Sequence, residues 1–137
     1  MAQVIIFKND NGGVSVCIPT GELPIEAVKA KDTPAHSIIV DTADLPQADN
    51  DFFNAWELVD GQVSVNLDKA KELTKNRLRA ERKPLLEAQD VAFQRALESA
   101  TPVDTSDIVA EKQRLRYITK LADDAVSTEE LRAIKVA

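Results

Sequence analysis

Side chains able to do acid–base or covalent chemistry are few in this chain. It carries one histidine, His36, and one cysteine, Cys17. A catalytic site needs a nucleophile, acid or base held by partners. No motif ties a serine or the cysteine to His36, which follows Pro34-Ala35 at the edge of the run Ser37-Ile38-Ile39-Val40. His36 reads as a loop or strand-end residue, and Cys17, between Val16 and Ile18, as a small hydrophobe in a strand. One cysteine forms no internal disulfide, and with one histidine it does not complete a zinc site of the usual composition. Asp41, Asp44, Asp49 and Asp51 offer oxygen donors, but the stretch lacks the central Gly and closing Glu of a calcium loop and reads as a solvated acidic loop. Gly12-Gly13 has neither the lysine nor the spacing of a phosphate cradle, so it reads as turn chemistry. The expectation is a protein that is not an enzyme, with no catalytic residue, no cofactor and no metal.

Two groups point to binding instead. Lys75, Arg77, Arg79, Arg82 and Lys83 place five cations against Glu81 within a short run. At helical spacing Lys75, Arg79 and Arg82 form one stripe while Arg77 sits off it. The run reads either as a solvated helix face or as a surface that meets acidic groups, those of the N-terminal half or of a partner protein. Phe52, Phe53 and Trp56 bring three of the six aromatic residues into one short segment. They read as core of a small domain or as anchors at an interface.

The elements that must position these groups follow from composition. The chain has 137 residues, 44% hydrophobic and 29% charged, with a net charge of −6. That length suits one domain or two very small ones, and the acidic balance disfavours general nucleic-acid binding. No apolar run approaches the ~18 residues of a membrane helix, and the first residues lack a signal-peptide pattern, so no membrane span is expected. Residues 1–65 hold 3 basic and 10 acidic side chains, a net of −7, while residues 66–137 hold 14 and 13, a net of +1. All four Gly and four of the six Pro lie in the first part. The reading is a small β-rich domain over 1–65 and a helical hairpin with a short closing helix over 66–137, an α+β chain.

Within the first part, Val4–Phe7 and Val14–Ile18 flank an Asn/Gly turn and predict a hairpin; Ile25–Lys31 predicts a two-turn helix, and Ser37–Val40 a third strand. Asp60-Gly61 between Trp56–Val59 and Gln62–Val65 predicts a second hairpin. Helical pattern runs from Leu67 to about Ser99, with Asn66 as N-cap and Asp68 in the first turn. Pro84 predicts a kink or break near Arg82–Pro84. Leu85, Leu86, Ala88, Ala92, Phe93, Ala96 and Leu97 give a broad apolar face beyond it. Thr101-Pro102-Val103-Asp104 resembles a helix start capped by Thr101, with a stripe of Ile108, Leu115, Ile118 and Ala122. Ser127-Thr128-Glu129-Glu130 reads as a capping box for a final helix that turns Leu131, Ile134 and Val136 inward.

Several strings, in order, carry a family resemblance: Asp51-Phe52-Phe53-Asn54-Ala55-Trp56-Glu57 and the Asp-Gly hairpin, Val65–Ala70, the basic run Arg77–Arg82, and Pro84-Leu85-Leu86. Asp90–Phe93 with Arg95-Ala96, Lys112–Arg116 with Ile118-Thr119, and Ser127–Ile134 continue the order. Over about residues 34–134 the chain resembles small proteins of tailed bacteriophages and prophages that are tail assembly chaperone-like or tail-fibre-associated. The resemblance implies a non-enzymatic protein acting in tail or tail-fibre assembly, in the host cytoplasm during assembly or in the virion tail, with other tail proteins as partners. It carries over no catalytic residue. The segments Phe52–Trp56 and Arg77–Leu86 match its recurrent pattern.

The residues expected to bind partners are therefore Phe52, Phe53, Trp56, Arg77, Arg79, Arg82, Leu85, Leu86, Phe93 and Leu97. The apolar ones would bury surface, while Arg77, Arg79 and Arg82 set orientation through charge. A long helix with a wider apolar face than one return helix covers predicts a homo-oligomer, a trimer first. The alternative is an acidic soluble regulator or inhibitor that binds a host protein through its β-rich half.

Overall fold

The computed structural model describes residues 2–137 and is α+β. The chain divides into two compact units, one ending at Ala70 and the other Lys71–Ala137. The boundary falls in the first turns of a long helix.

The first unit is built on a hairpin, β1 (Gln3–Lys8) and β2 (Val14–Cys17), whose turn is organised by Asn9. The Asn9 Oδ1 accepts from the backbone N–H groups of Asn11 and Gly13, each at 3.0 Å, and Gly12 sits at φ +82°. The side chain of Asn9 thus supplies the turn with main-chain partners it would otherwise lack. Helix α1 (Ile25–Asp32) follows, then β3 (Ile38–Asp41), which pairs antiparallel with β1, giving the order β2-β1-β3. Alternation along these strands sends two sets of side chains to opposite faces. Val4, Ile6, Val14, Val16, Ile38 and Val40 face the second hairpin, β4 (Trp56–Val59) and β5 (Gln62–Val65), and pack with Trp56, Leu58, Val63 and Val65. The other face of β1 carries Ile5, fully buried, on the side where α1 packs with Val28 as its buried residue. The unit is three layers: a helix, a three-stranded sheet and a two-stranded sheet.

The second hairpin forms for the expected reason. Asp60 and Gly61 both have positive φ, +52° and +78°, the left-handed pair that suits a tight turn between twisted strands. Between β3 and β4 the chain makes 3₁₀ turns over Thr42–Asp44 and Gln47–Ala55, which the sequence reading left unassigned. Asp41 Oδ1 caps the first by accepting from the Ala43 N–H at 3.0 Å.

The long helix α2 spans Leu67–Glu98. Asn66 caps it as expected, its Oδ1 accepting from the Lys69 N–H at 3.1 Å, while its Nδ2 donates to Glu57 at 3.1 Å. Pro84 lies inside this helix and does not divide it. The ring removes the donor that would serve the Ala80 carbonyl, but Ala80 and Pro84 are both exposed, so water takes that carbonyl at little cost.

In the second unit α3 (Ser106–Tyr117) runs antiparallel to α2: Arg82 reaches Leu115 and Arg116, whereas Asp90 and Phe93 meet Lys112. The helix starts later than the Thr101-Pro102 signal predicts. Asp104 Oδ1 accepts from the Ser106 N–H at 2.9 Å, and this turn sets the helix entry four residues beyond Pro102. The expected stripe on α3 is also divided. The helix ends at Tyr117, and α4 (Lys120–Asp124) resumes after a tight turn in which Leu121 N–H donates to the Ile118 carbonyl. The last helix, α5 (Thr128–Ala133), begins at the expected capping box: Ser127 Oγ accepts from Glu130 N–H at 3.2 Å, and Glu130 Oε2 reaches back to Val126 N–H at 2.6 Å. Leu78, Leu115, Ile118 and Val136 form the core of this unit, with Leu86 and Ile134 against it. No helix among the described residues is long and apolar enough to cross a membrane.

Candidate functional site

His36 and Cys17 stand apart from any catalytic arrangement. His36 is exposed, its Nε2 lies 3.2 Å from the Lys8 carbonyl oxygen, and its ring meets Phe7 edge-on at 6.3 Å. Cys17 is half-buried opposite Ile5. Among the described residues no three His, Cys, Asp or Glu side chains converge on a point where they could hold a metal ion.

The basic run has a structural use that its sequence does not disclose. Arg77 donates from Nη2 to the carbonyl oxygens of Leu131 at 3.3 Å and Ile134 at 2.9 Å, while its Nη1 faces Glu81 at 3.3 Å. Arg82 donates to the carbonyls of Leu115 and Arg116 at 3.3 and 2.8 Å. These acceptors are carbonyls at the C-terminal ends of α5 and α3, where the helix dipole is negative; that of Leu131 also accepts from the Ile134 N–H. Lys75 pairs with Asp123, and Lys71 donates to the Asp123 carbonyl at 3.0 Å. The hydrogen bond from Lys75 holds the Asp123 carboxyl below its ordinary range, and the same bond raises the Lys75 ammonium. Arg114, outside the expected site, donates to Val136 O at 2.7 Å and to Glu111, whose carboxyl it holds down. Arg79 alone of the three expected arginines stays on the surface, bonded to Asn76 of its own helix at 2.9 Å.

The expected apolar contacts divide in the same way. Phe52 and Trp56 are core residues, 6% and 2% exposed, so the fold itself uses them. Trp56 donates its indole N–H to the Asp49 carbonyl at 3.2 Å, which satisfies its one polar atom. Leu86 packs on the second unit's core, and Phe93 lies half-buried with Lys112 Nζ 5.3 Å from its ring centroid. Phe53, Leu85 and Leu97 remain open to solvent at 38%, 37% and 67%.

Two surfaces result. In the second unit, Leu85, Val91 and Leu97 on α2 and Val109 and Tyr117 on α3 are exposed apolar side chains. α2 has 32 residues, about 48 Å, and α3 has 12, about 18 Å. The exposed side chains lie outside the core of Leu78, Leu86, Leu115, Ile118, Ile134 and Val136. In the first unit, a groove of ≈ 300 Å³ lies between β2 and the 3₁₀ turns, walled by Val16, Ile18, Leu45 and Phe53 and floored by Val4 and Trp56. The sequence pointed to Phe53 but not to Ile18 or Leu45. The alternation Val14, Val16, Ile18, which runs one residue past the strand, was the available signal.

No family model matches the chain, and no curated protein or solved structure resembles it significantly.

Proposed function

We propose that this protein is a non-enzymatic adaptor or assembly chaperone of a bacteriophage tail or tail fibre. It acts in the host cytoplasm during assembly and stays with the virion tail where its partner does. The order of sequence strings shared with tail-associated proteins supports the reading. The observation that carries it is the set of exposed apolar side chains on α2, Leu85, Val91 and Leu97, with Val109 and Tyr117 on α3. Apolar side chains left exposed in number on one small unit favour an interaction surface. The partners are other tail proteins, and a second and third copy of this chain form the first assembly, a homotrimer that buries exposed apolar side chains of the second unit.

The test is mass spectrometry on gradient-purified particles from the source strain, with the infected-cell lysate beside them. A fixed copy number per particle, or a complex with a tail protein in the lysate, is the expected result. Absence from particles and from every tail-protein complex overturns the reading. Light scattering at micromolar concentration tests the trimer separately, and a mass of one chain removes it.

A further inference from the structure

We propose that the groove beside β2 binds an extended segment of a partner protein, one that presents a large apolar side chain flanked by Lys or Arg. The inference deepens the adaptor reading by giving the first unit a partner chemistry of its own.

The groove's walls are apolar, and it lies in a unit whose first 65 residues carry a net −7. Ile18 lines it with 76% exposure, and Phe53 lines it too, its ring 4.9 Å from that of Trp56. The lining residues Thr42, Leu45 and Asn50 have Asp41, Asp44, Asp49 and Asp51 beside them in the chain, and residues 37–68 contain no Lys, Arg or His. An occupant suited to this groove supplies apolar area to Ile18, Leu45 and Phe53 and positive charge to the acidic unit around it. A volume of ≈ 300 Å³ is at the low end for a small-molecule site and suits one or two side chains of a peptide.

The backbone argues for an extended segment. β2 is an edge strand of the sheet β2-β1-β3, so one row of its main-chain groups has no strand beside it. A chain laid along β2 gains those bonds while every second side chain points toward the groove. Another copy of this protein is a poor occupant. Its first 65 residues carry the same net −7, and in its most cationic stretch Arg77 and Arg82 are held by internal carbonyls and Lys75 by Asp123.

The test selects a random short-peptide display library against the full chain, then titrates the enriched peptides while following the emission of Trp56, the single tryptophan, which lines the groove. The expected peptides carry an aliphatic or aromatic residue between Lys or Arg, shift the Trp56 emission, and bind several-fold more weakly at high salt. Ile18→Ser with Phe53→Ser should weaken them roughly tenfold, with an unchanged circular-dichroism spectrum. Because Ile18 is so exposed, Ile18→Ser alone gives a second variant that keeps the fold. Enrichment of no peptide, of acidic peptides, or of peptides indifferent to Ile18→Ser overturns the proposal. So does a concentration-dependent dimer that Ile18→Ser abolishes, since the occupant is then a second copy. These outcomes concern the first unit alone, so they are separable from the protein's presence in or absence from tail complexes.

Discussion

Arg77 on α2 donates to the carbonyl oxygen of Ile134, 57 residues further along the chain, at 2.9 Å. With the Leu131 carbonyl on the same nitrogen, this side chain closes the end of α5 onto the helix that begins the second unit. Arg82 does the same for α3, and Arg114 for the Val136 carbonyl. Each guanidinium joins two stretches far apart in sequence through main-chain carbonyls near the ends of helices or of the chain.

Arg77→Ala should therefore destabilise the second unit by about 1–2 kcal/mol, the range for hydrogen bonds to a charged donor at a part-exposed site. Arg77→Lys should recover less than half of that, because an ammonium does not reproduce the planar fork that faces Glu81 and two carbonyls together. Urea midpoints check both. An Arg77→Ala midpoint equal to that of the parent chain would show that the carbonyls are served as well by water.

Position 78 and position 97 lie on the same helix with opposite expected outcomes. Leu78 is fully buried among Leu115, Ile118 and Val136, so Leu78→Ala should cost about 2–5 kcal/mol. Leu97 is 67% exposed, and Leu97→Ser should leave the stability from urea unfolding within about 0.5 kcal/mol while lowering the mass measured by light scattering. A Leu97→Ser protein that loses stability and keeps its mass would identify Leu97 as core.

The parts of this fold that could be read from the sequence are those governed by neighbours in the chain. Asp60-Gly61 needs only its own backbone preference, Asn66 only the free N–H groups of the helix it precedes, and Ser127 only Glu130. The misplaced start of α3 shows the limit of such signals. Thr101-Pro102 can cap a helix, but the Asp104 carboxylate takes the Ser106 N–H and begins the helix there. Partner-binding roles for Phe52, Trp56, Arg77 and Arg82 were expected from residue type, and the fold places all four in internal contacts. For the two arginines nothing in the sequence could have said so, because a main-chain carbonyl at a helix end leaves no mark on residue identity.

Stability should depend on pH through Lys75 and Asp123, whose side chains are 18% and 55% exposed. The Asp123 carboxyl is held below its ordinary 3.8, so its contribution is present above that value and lost as the pH falls through its lowered one. The Lys75 ammonium is raised above 10.5, so its contribution is present below that value and lost as the pH climbs through its raised one. Lys75→Met should thus differ from the parent chain by a constant, small amount between these limits and converge with it at both extremes. Urea midpoints taken across the pH range check this, and a difference that persists in acid would assign the effect to the methylene stem of Lys75.

Pro84 offers the sharpest contrast between a local rule and the folded chain. The ring deprives Ala80 of its helical donor, yet α2 runs on from Leu67 to Glu98. What holds the two halves on one helix is packing on both sides of the ring: Leu78 in the core, Arg82 on the end of α3, and Leu86 against the same cluster. Because Pro84 is exposed, replacing it removes no core contact. Pro84→Ala restores one main-chain hydrogen bond and a residue with high helix propensity, and it should stabilise the protein by about 1–3 kcal/mol, less whatever the unfolded chain gains in freedom. A higher urea midpoint with more helical circular dichroism is the expected result. A lower midpoint would mean that the shape the ring gives α2 is what lets Leu78 and Leu86 meet α3 and the C-terminal segment together.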